Sequence, residues 1–244
     1  AGEPVIALYL LCERQWDRHG VAPGRRWYVL ESLRELGRGL ARRGVPLRIL
    51  DAGDFEGVPP VLEDFVRRHG VTAIHCAREF PLNEKRRDQA VAERMRALDV
   101  ALHGRDETVL VPPHALRTGQ GTPYTVFTPY SRAWWSSLQR EQPVVPAPPS
   151  TRTPVTFADE PVLDRALAKL TVPDSVRAFW PPGEAAAQRR LTAFLDGGIN
   201  GYEQDRDWPG RDGTSRLSTA LSAGTLGPVD AFTRARASAD QGGA

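Results

Sequence analysis

The sequence predicts an α/β protein in which a parallel sheet is followed by a connector and by the opening of an all-helical domain. Short apolar segments alternate with amphipathic ones over the first part of the chain, which is typical of a parallel sheet covered by helices. A proline-rich stretch then interrupts the pattern, and helical periodicity resumes near Glu184. We therefore expect an α/β domain at 1–113, a connector at 114–183 and a helical part at 184–244.

Four apolar segments of strand length predict the sheet. They cover residues 5–10, 46–50, 71–76 and 99–103. Cys12 and Cys76 lie in these surroundings. Two cysteines cannot form a disulfide framework or a cysteine-rich metal site on their own, so we expect buried, reduced thiols.

The helices between these strands carry start and stop signals. The first is expected from Pro23 to Gly44, the second from Pro59 to Gly70 and the third from Asn83 to Leu98. Proline suits the first turn of a helix and glycine its C-terminal end. Further on, one helix is expected from Pro129 to Gln142, and another begins at Glu184 and stops at Gly197 and Gly198.

Composition excludes several classes of protein. The formal net charge of +2 is too small to indicate nucleic-acid binding by itself. There is no stretch of about 20 apolar residues and no signal-peptide pattern, which predicts a cytoplasmic protein. The sequence has neither a GxGxxG nor a P-loop motif, and His75 beside Cys76 lacks further ligands at metal-site spacing, so we expect no metal.

A cluster of hydroxyl side chains near the C-terminal end of the sequence is compatible with two interpretations, an anion site and a helix cap, and the residues alone favour the cap. Thr214, Ser215 and Ser218 surround the start of an expected helix, and Arg216 adds a positive charge. Unpaired backbone N–H groups and the helix dipole favour anions at such a start. The alternative is structural, with Ser215 capping a helix that begins near Leu217.

The spacing around this cluster resembles that of the photolyase/cryptochrome family. Tyr202 is followed four residues later by Arg206 and then by the run Gly213-Thr-Ser-Arg-Leu-Ser218. Residues 123–130, with Trp134 behind them, resemble the connector of the same family. Arg14-Gln-Trp16 and residues 44–47 are similar to its bacterial class I members.

The resemblance implies a light-driven lyase that repairs cyclobutane pyrimidine dimers in DNA by electron transfer from reduced FAD. In that family the matching arginine, here Arg206, faces the DNA backbone, and no side chain acts as general base or nucleophile, so no catalytic residue is expected. A monomer is implied. The residues implied to bind FAD are Tyr202, Thr214, Ser215, Arg216, Leu217 and Ser218.

A second implied site lies at the start of the third helix. Asn83 and Glu84 place an amide beside a carboxylate, which can pair with the donor-rich edge of a pterin ring. The structural alternative is that Asn83 caps the helix and Glu84 suits its first turn. The resemblance implies a 5,10-methenyltetrahydrofolate antenna here, although some members of the family carry a deazaflavin.

Two differences from the family lead to further expectations. Its opening strand and the helices that complete its flavin pocket have no counterpart in this sequence, so the resemblance implies a fragment that neither retains FAD nor repairs DNA. The alternatives to repair are a cryptochrome-type blue-light photoreceptor and a folate- or nucleotide-binding α/β module.

Overall fold

Strands and helices alternate through the first 105 residues. A computed structural model describes residues 4–140, 153–156 and 160–240. The elements of this part are β1 (Ala7–Leu11), α1 (Glu13–Arg18), α2 (Pro23–Arg42), β2 (Leu47–Asp51), α3 (Val58–His69), β3 (Ala73–Ala77), α4 (Leu82–Ala97) and β4 (Ala101–Arg105). The predicted α/β class is confirmed.

The strands form two pairs. β1 and β2 are parallel, with Ala7 opposite Leu47 and Leu11 opposite Asp51. β3 pairs with β4, and within the described residues no hydrogen-bonded ladder joins the two pairs. The expected sheet is therefore present as two halves.

The helix boundaries follow the local signals. Pro59 lies in the first turn of α3. A backbone N–H in this turn has no acceptor within the helix, so proline, which lacks the N–H, costs no hydrogen bond there. Gly70 ends the helix with φ 60°, a left-handed conformation that glycine adopts without strain. Pro23 likewise begins α2, whose Leu30 and Leu33 are buried.

The remaining described elements are helical. They are α5 (Phe127–Arg140), α6 (Pro161–Ala168), α7 (Asp174–Phe179), α8 (Glu184–Ala193), a π-helical segment (Phe194–Gly198), α9 (Ile199–Asp205), α10 (Ser218–Ala223) and α11 (Pro228–Asp240). Three of them, α5 to α7, lie within the stretch expected as a connector. Among the described residues, no helix has both the length and the apolar character needed to cross a bilayer.

The chain divides into two compact units. Unit 1 comes from residues 1–104 and 148–189, and unit 2 from residues 105–147 and 190–244, as far as these are described. In unit 1, α6 returns to the strands and buries Leu163 and Ala166 against β2 and α2. Unit 2 has its own core, which contains Val111, Leu116 and Leu138.

Two sequence expectations are wrong. Gly197 and Gly198 do not stop the helix, because Gly198 keeps right-handed angles (φ −68°, ψ −26°) and the chain continues through the π-helical segment into α9. Cys76 is exposed rather than buried, whereas Cys12 is buried as expected. It lies in the exposed second half of β3, a strand with a neighbour on one side only among the described residues.

Candidate functional site

The hydroxyl cluster lies in a turn that precedes the short helix α10. α10 begins at Ser218, and Leu217 before it is buried and makes no side-chain capping bond. Thr214 and Ser218 are exposed and Ser215 is half-buried. The structural alternative, in which Ser215 caps the helix, is therefore not what the structure contains, and the hydroxyls remain available to a ligand.

Glycine 213 places this turn against the end of α9. A Cβ atom at this position would lie 2.3 Å from the Cβ of Asp205 and 2.8 Å from its carbonyl carbon. Only a residue without a side chain permits so close an approach. Gly213 thus joins the hydroxyl turn to the helix that carries Tyr202.

Arg216 has an unusual backbone conformation within the turn. Its φ of 52° lies in the left-handed region, which residues with a side chain seldom adopt. Its guanidinium Nε lies 2.7 Å from Oδ1 of Asp212. Strained residues of this kind cluster at ligand sites.

Tyr202 and Arg206 come from one helical turn. The Arg206 guanidinium lies 5.7 Å from the centroid of the Tyr202 ring, within cation–π distance. The same ring makes an edge contact with Phe194, with centroids 6.1 Å apart. Tyr202 is nevertheless 40% exposed, and Arg206 is also exposed, so both side chains can reach a partner.

Asn83 and Glu84 occupy the first turn of α4 in unit 1. Pro81 is the N-cap residue and no side-chain capping bond is present, so Asn83 is not a cap. Asn83 is exposed and Glu84 is half-buried. The structural alternative for this pair therefore holds only for Glu84, which does lie in the first turn.

Sequence reasoning missed the role of Arg87, one turn further along α4. Its Nη2 donates to Oε2 of Glu79 at 2.7 Å and to Oδ1 of Asp88 at 2.6 Å. Its guanidinium lies 4.9 Å from the centroid of the Phe55 ring. Asp88 is the next residue and Glu79 lies eight positions before Arg87, but Phe55 is distant in sequence, and only the fold brings it to the guanidinium.

An open, polar cavity of about 380 Å³ lies where β1 and β2 end. Its lining includes two charge pairs, Lys169 with Glu13 at 2.9 Å and Arg26 with Asp17 at 2.6 Å. Among the described residues, none of those predicted to bind FAD, folate or DNA lines this cavity. These two pairs neutralise four of the charged side chains that line the cavity, and the cavity is not part of the candidate site.

Comparison with known proteins places these features in one family. The sequence profile of the family described as DNA photolyase matches residues 1–150. The deoxyribodipyrimidine photo-lyase of Escherichia coli is 32% identical over 230 residues, which cover 94% of this chain and 48% of the relative. That of Salmonella typhimurium is 33% identical, covering 96% and 49%.

Solved structures give the same result. A bacterial class III photolyase from Agrobacterium tumefaciens superposes with a TM-score of 0.79 at 28% identity, covering 95% of this chain and 47% of that one. A cryptochrome from Synechocystis has a TM-score of 0.74 at 20% identity, covering 96% and 50%, and shares the fold. The chain spans about half the length of the curated photo-lyases that it matches.

Proposed function

Because the chain belongs to the DNA photolyase family, we propose that the protein repairs cyclobutane pyrimidine dimers in DNA as a light-driven deoxyribodipyrimidine photo-lyase. The observation that carries the proposal is the turn at residues 213–218, which Gly213 holds against α9. The names of the relatives in Escherichia coli and Salmonella typhimurium support the same activity. We further propose a cytoplasmic monomer that acts on DNA.

The residues of the turn fit the diphosphate of FAD. Thr214 and Ser218 are exposed, Ser215 is half-buried, and Arg216 supplies positive charge. Charged phosphate oxygens form the stronger class of hydrogen bond with such donors. Leu217 is buried and is proposed to anchor the turn, and Tyr202, which is 40% exposed, is proposed to offer its ring to the flavin nucleotide.

The protein's part in the reaction is to bind and orient. When bound, reduced FAD supplies the electron that opens the cyclobutane ring under light, and the electron afterwards returns. Arg206 is exposed, and its guanidinium is proposed to contact a backbone phosphate, which positions the DNA without reading its sequence. A damaged base pair is easier to open than an intact one, which favours the lesion over normal DNA.

Asn83 and Glu84 are proposed to hold an antenna chromophore. An exposed amide and a half-buried carboxylate next to each other can form paired hydrogen bonds with a pterin ring. We propose 5,10-methenyltetrahydrofolate as the ligand, with a deazaflavin as the alternative. The absorption spectrum of the chromophore released from the full-length gene product distinguishes the two.

The test uses the full-length gene product and two variants. Replacing both hydroxyls, in Thr214→Ala/Ser218→Ala, removes two donors to a charged group and should weaken FAD binding by about 10-fold or more. The control Ser222→Ala removes a hydroxyl from the opposite end of α10 and should leave FAD affinity unchanged. Fluorescence titration with FAD measures both.

Repair itself is measured in ultraviolet-treated, repair-deficient cells. Expression of the gene should increase survival only under blue light. FAD binding without light-dependent survival would indicate a cryptochrome-type photoreceptor instead. A gene product that binds folate but no FAD would indicate an α/β binding module, and either result would overturn the proposal.

A further inference from the structure

Two arginines lie over aromatic rings in the segment that joins α9 to the hydroxyl turn. The Arg206 guanidinium lies 5.7 Å from the centroid of the Tyr202 ring, and the Arg211 guanidinium lies 5.5 Å from the centroid of the Trp208 ring. Both distances are within the range of a cation–π interaction. We call the surface formed by these four residues the arginine–aromatic surface.

The chain between the two arginines is compact. The N–H of Trp208 donates to the C=O of Asp205 at 3.0 Å, and the N–H of Arg211 donates to the C=O of Trp208 at 3.0 Å. Hydrogen bonds from residue i+3 to residue i are those of β-turns, which hold the first and fourth Cα atoms within about 7 Å. Two successive turns therefore keep Arg206 and Arg211 on one short stretch of backbone.

The second arginine–aromatic pair is open to the solvent. Trp208 is 60% exposed, and the side chain of Arg211 is 59% exposed. A tryptophan in this position gains little from burial, so packing into a core does not account for it. Holding the Arg211 guanidinium in one orientation is a role that the ring can fill while exposed.

The carboxylates beside this surface leave donors available on Arg211. Oδ1 of Asp205 lies 2.5 Å from Nη1 of Arg211. An arginine carries five N–H donors in the plane of its guanidinium, and stacking on a ring occupies only the face of that plane. The guanidinium can therefore bond to a second acceptor besides Asp205. At Arg206, the nearest carboxylate oxygen of Asp207 is 3.9 Å from Nε, and Asp207 itself is exposed.

Phosphate oxygens match these donors. The arginine fork binds a phosphate through two parallel, charge-assisted hydrogen bonds. Along one strand of duplex DNA the phosphates follow one another at about 3.4 Å measured along the helix axis. Two arginines on one short stretch of backbone can therefore meet the same strand. Arg206 is already proposed to contact a phosphate, whereas Arg211 is not among the residues that carry the family resemblance.

We propose that Arg211 makes a second contact with the DNA phosphate backbone, on the strand that Arg206 contacts. This inference rests on the proposed function, which supplies DNA as the partner. Asp205 and the Trp208 ring are positioning residues, which hold the guanidinium with its remaining donors toward the solvent. The contact adds affinity for damaged and undamaged DNA alike, because a phosphate contact carries no sequence information.

The salt dependence of DNA binding tests the proposal. Each phosphate contact contributes about 0.9 to the slope of log K against log salt concentration for duplex DNA. In the full-length gene product, Arg211→Gln should lower the magnitude of this slope by about 0.9. Arg211→Lys retains the charge and should retain the slope. Fluorescence anisotropy measures binding to a duplex with one cyclobutane dimer and to its undamaged counterpart, and Arg211→Gln should weaken both by the same factor.

Arg68→Gln is the matched control. Arg68 of α3 is an exposed arginine that also pairs with an aspartate, Asp64 at 2.9 Å, but it lies in unit 1. Its replacement should leave the slope unchanged. An unchanged slope in Arg211→Gln would overturn the proposal. If FAD binding fell instead, the pair of Arg211 with Asp205 would serve only to hold the hydroxyl turn.

Arg206→Gln separates the failure of this proposal from that of the proposed function. If Arg206→Gln lowers the slope and Arg211→Gln does not, the second contact is wrong and the proposed function stands. If neither variant changes the slope and the gene gives no light-dependent survival, both are wrong.

A double-mutant cycle tests the positioning role of Trp208. If the ring acts through Arg211, Trp208→Leu should weaken DNA binding by about 2- to 5-fold in the otherwise unchanged protein. In the Arg211→Gln background it should have no further effect. Equal weakening in both backgrounds would show that the tryptophan does not act through Arg211, and would overturn its assignment as a positioning residue.

Discussion

Asp54 is a carboxylate that two arginines hold in a buried position. Its Oδ2 lies 3.0 Å from Nε of Arg14 and 3.3 Å from Nη2 of Arg18, and its Oδ1 accepts from the N–H of Gly57 at 3.1 Å. The hydrogen bond from Arg14 is the main reason that the pKa of Asp54 is lowered. These contacts tie α1 to the loop between β2 and α3.

Removing this charge should destabilise the protein in a pH-dependent way. An aspartate with a lowered folded pKa stabilises the fold fully above its unfolded pKa of about 3.9, and the contribution is lost as the pH falls through the folded pKa. Asp54→Asn should therefore lower the melting temperature by a few degrees at pH 7, and the difference from the wild type should shrink below about pH 4.

Glu56→Gln is the matched control for Asp54. Its carboxylate also pairs with Arg18, at 3.2 Å, but its side chain is 76% exposed. Exposed ion pairs contribute little, so the melting temperature should hardly change at any pH. Thermal unfolding followed by circular dichroism from pH 3 to 7 distinguishes the two variants, and equal effects would contradict the assignment.

At the scale of elements, the hydroxyl turn depends on the absence of a side chain at residue 213. A methyl group there would overlap Asp205, at the end of α9. Overpacking of this kind destabilises by about 1–3 kcal/mol. Gly213→Ala should therefore lower the free energy of unfolding by about that amount and weaken FAD binding by the full-length product.

Gly210→Ala controls for the loss of glycine itself. No atom lies within 4 Å of a Cβ built at this position, and its φ is not in the left-handed region. The substitution should change the free energy of unfolding by less than about 0.5 kcal/mol in urea titrations. If Gly213→Ala were equally mild, the close approach to Asp205 would not be what shapes the turn.

Elements whose ends are determined locally could be predicted from the sequence. Pro59 and Gly70 bound α3 as expected because each acts through its own backbone angles. The stop predicted at Gly197 and Gly198 is wrong, because Gly198 keeps a negative φ, whereas a glycine that caps a helix C-terminus commonly takes a positive one. The sequence cannot show which conformation a glycine will adopt when neighbouring turns decide it.

Features that depend on contacts between residues far apart in sequence could not be predicted from the sequence. The split of the strands into two pairs is a matter of long-range pairing, and the exposure of Cys76 follows from it. Arg87 becomes half-buried through Glu79 and Phe55, which its own neighbourhood does not reveal. For the hydroxyl turn, the residues could be named from their spacing, but their assignment to FAD remains a prediction.

At the scale of the whole molecule, the chain has two cores that should respond separately to mutation. Leu163 of α6 and Leu138 of α5 are each 1% exposed, the first among the apolar residues of unit 1 and the second among those of unit 2. Leu163 lies far from β1 and β2 in sequence, yet it packs into the cluster that contains Leu11 and Ile49. The folding of β1 and β2 therefore depends on a segment that follows α5.

Truncating either leucine should remove about 2–5 kcal/mol from the stability of the unit that contains it. In Leu163→Ala, amide exchange should accelerate in β1, β2 and α2, and α5 should keep its protection. In Leu138→Ala the pattern should reverse. Since domains with their own cores unfold as separate units, acceleration throughout the chain in both variants would show that the two cores form one cooperative unit.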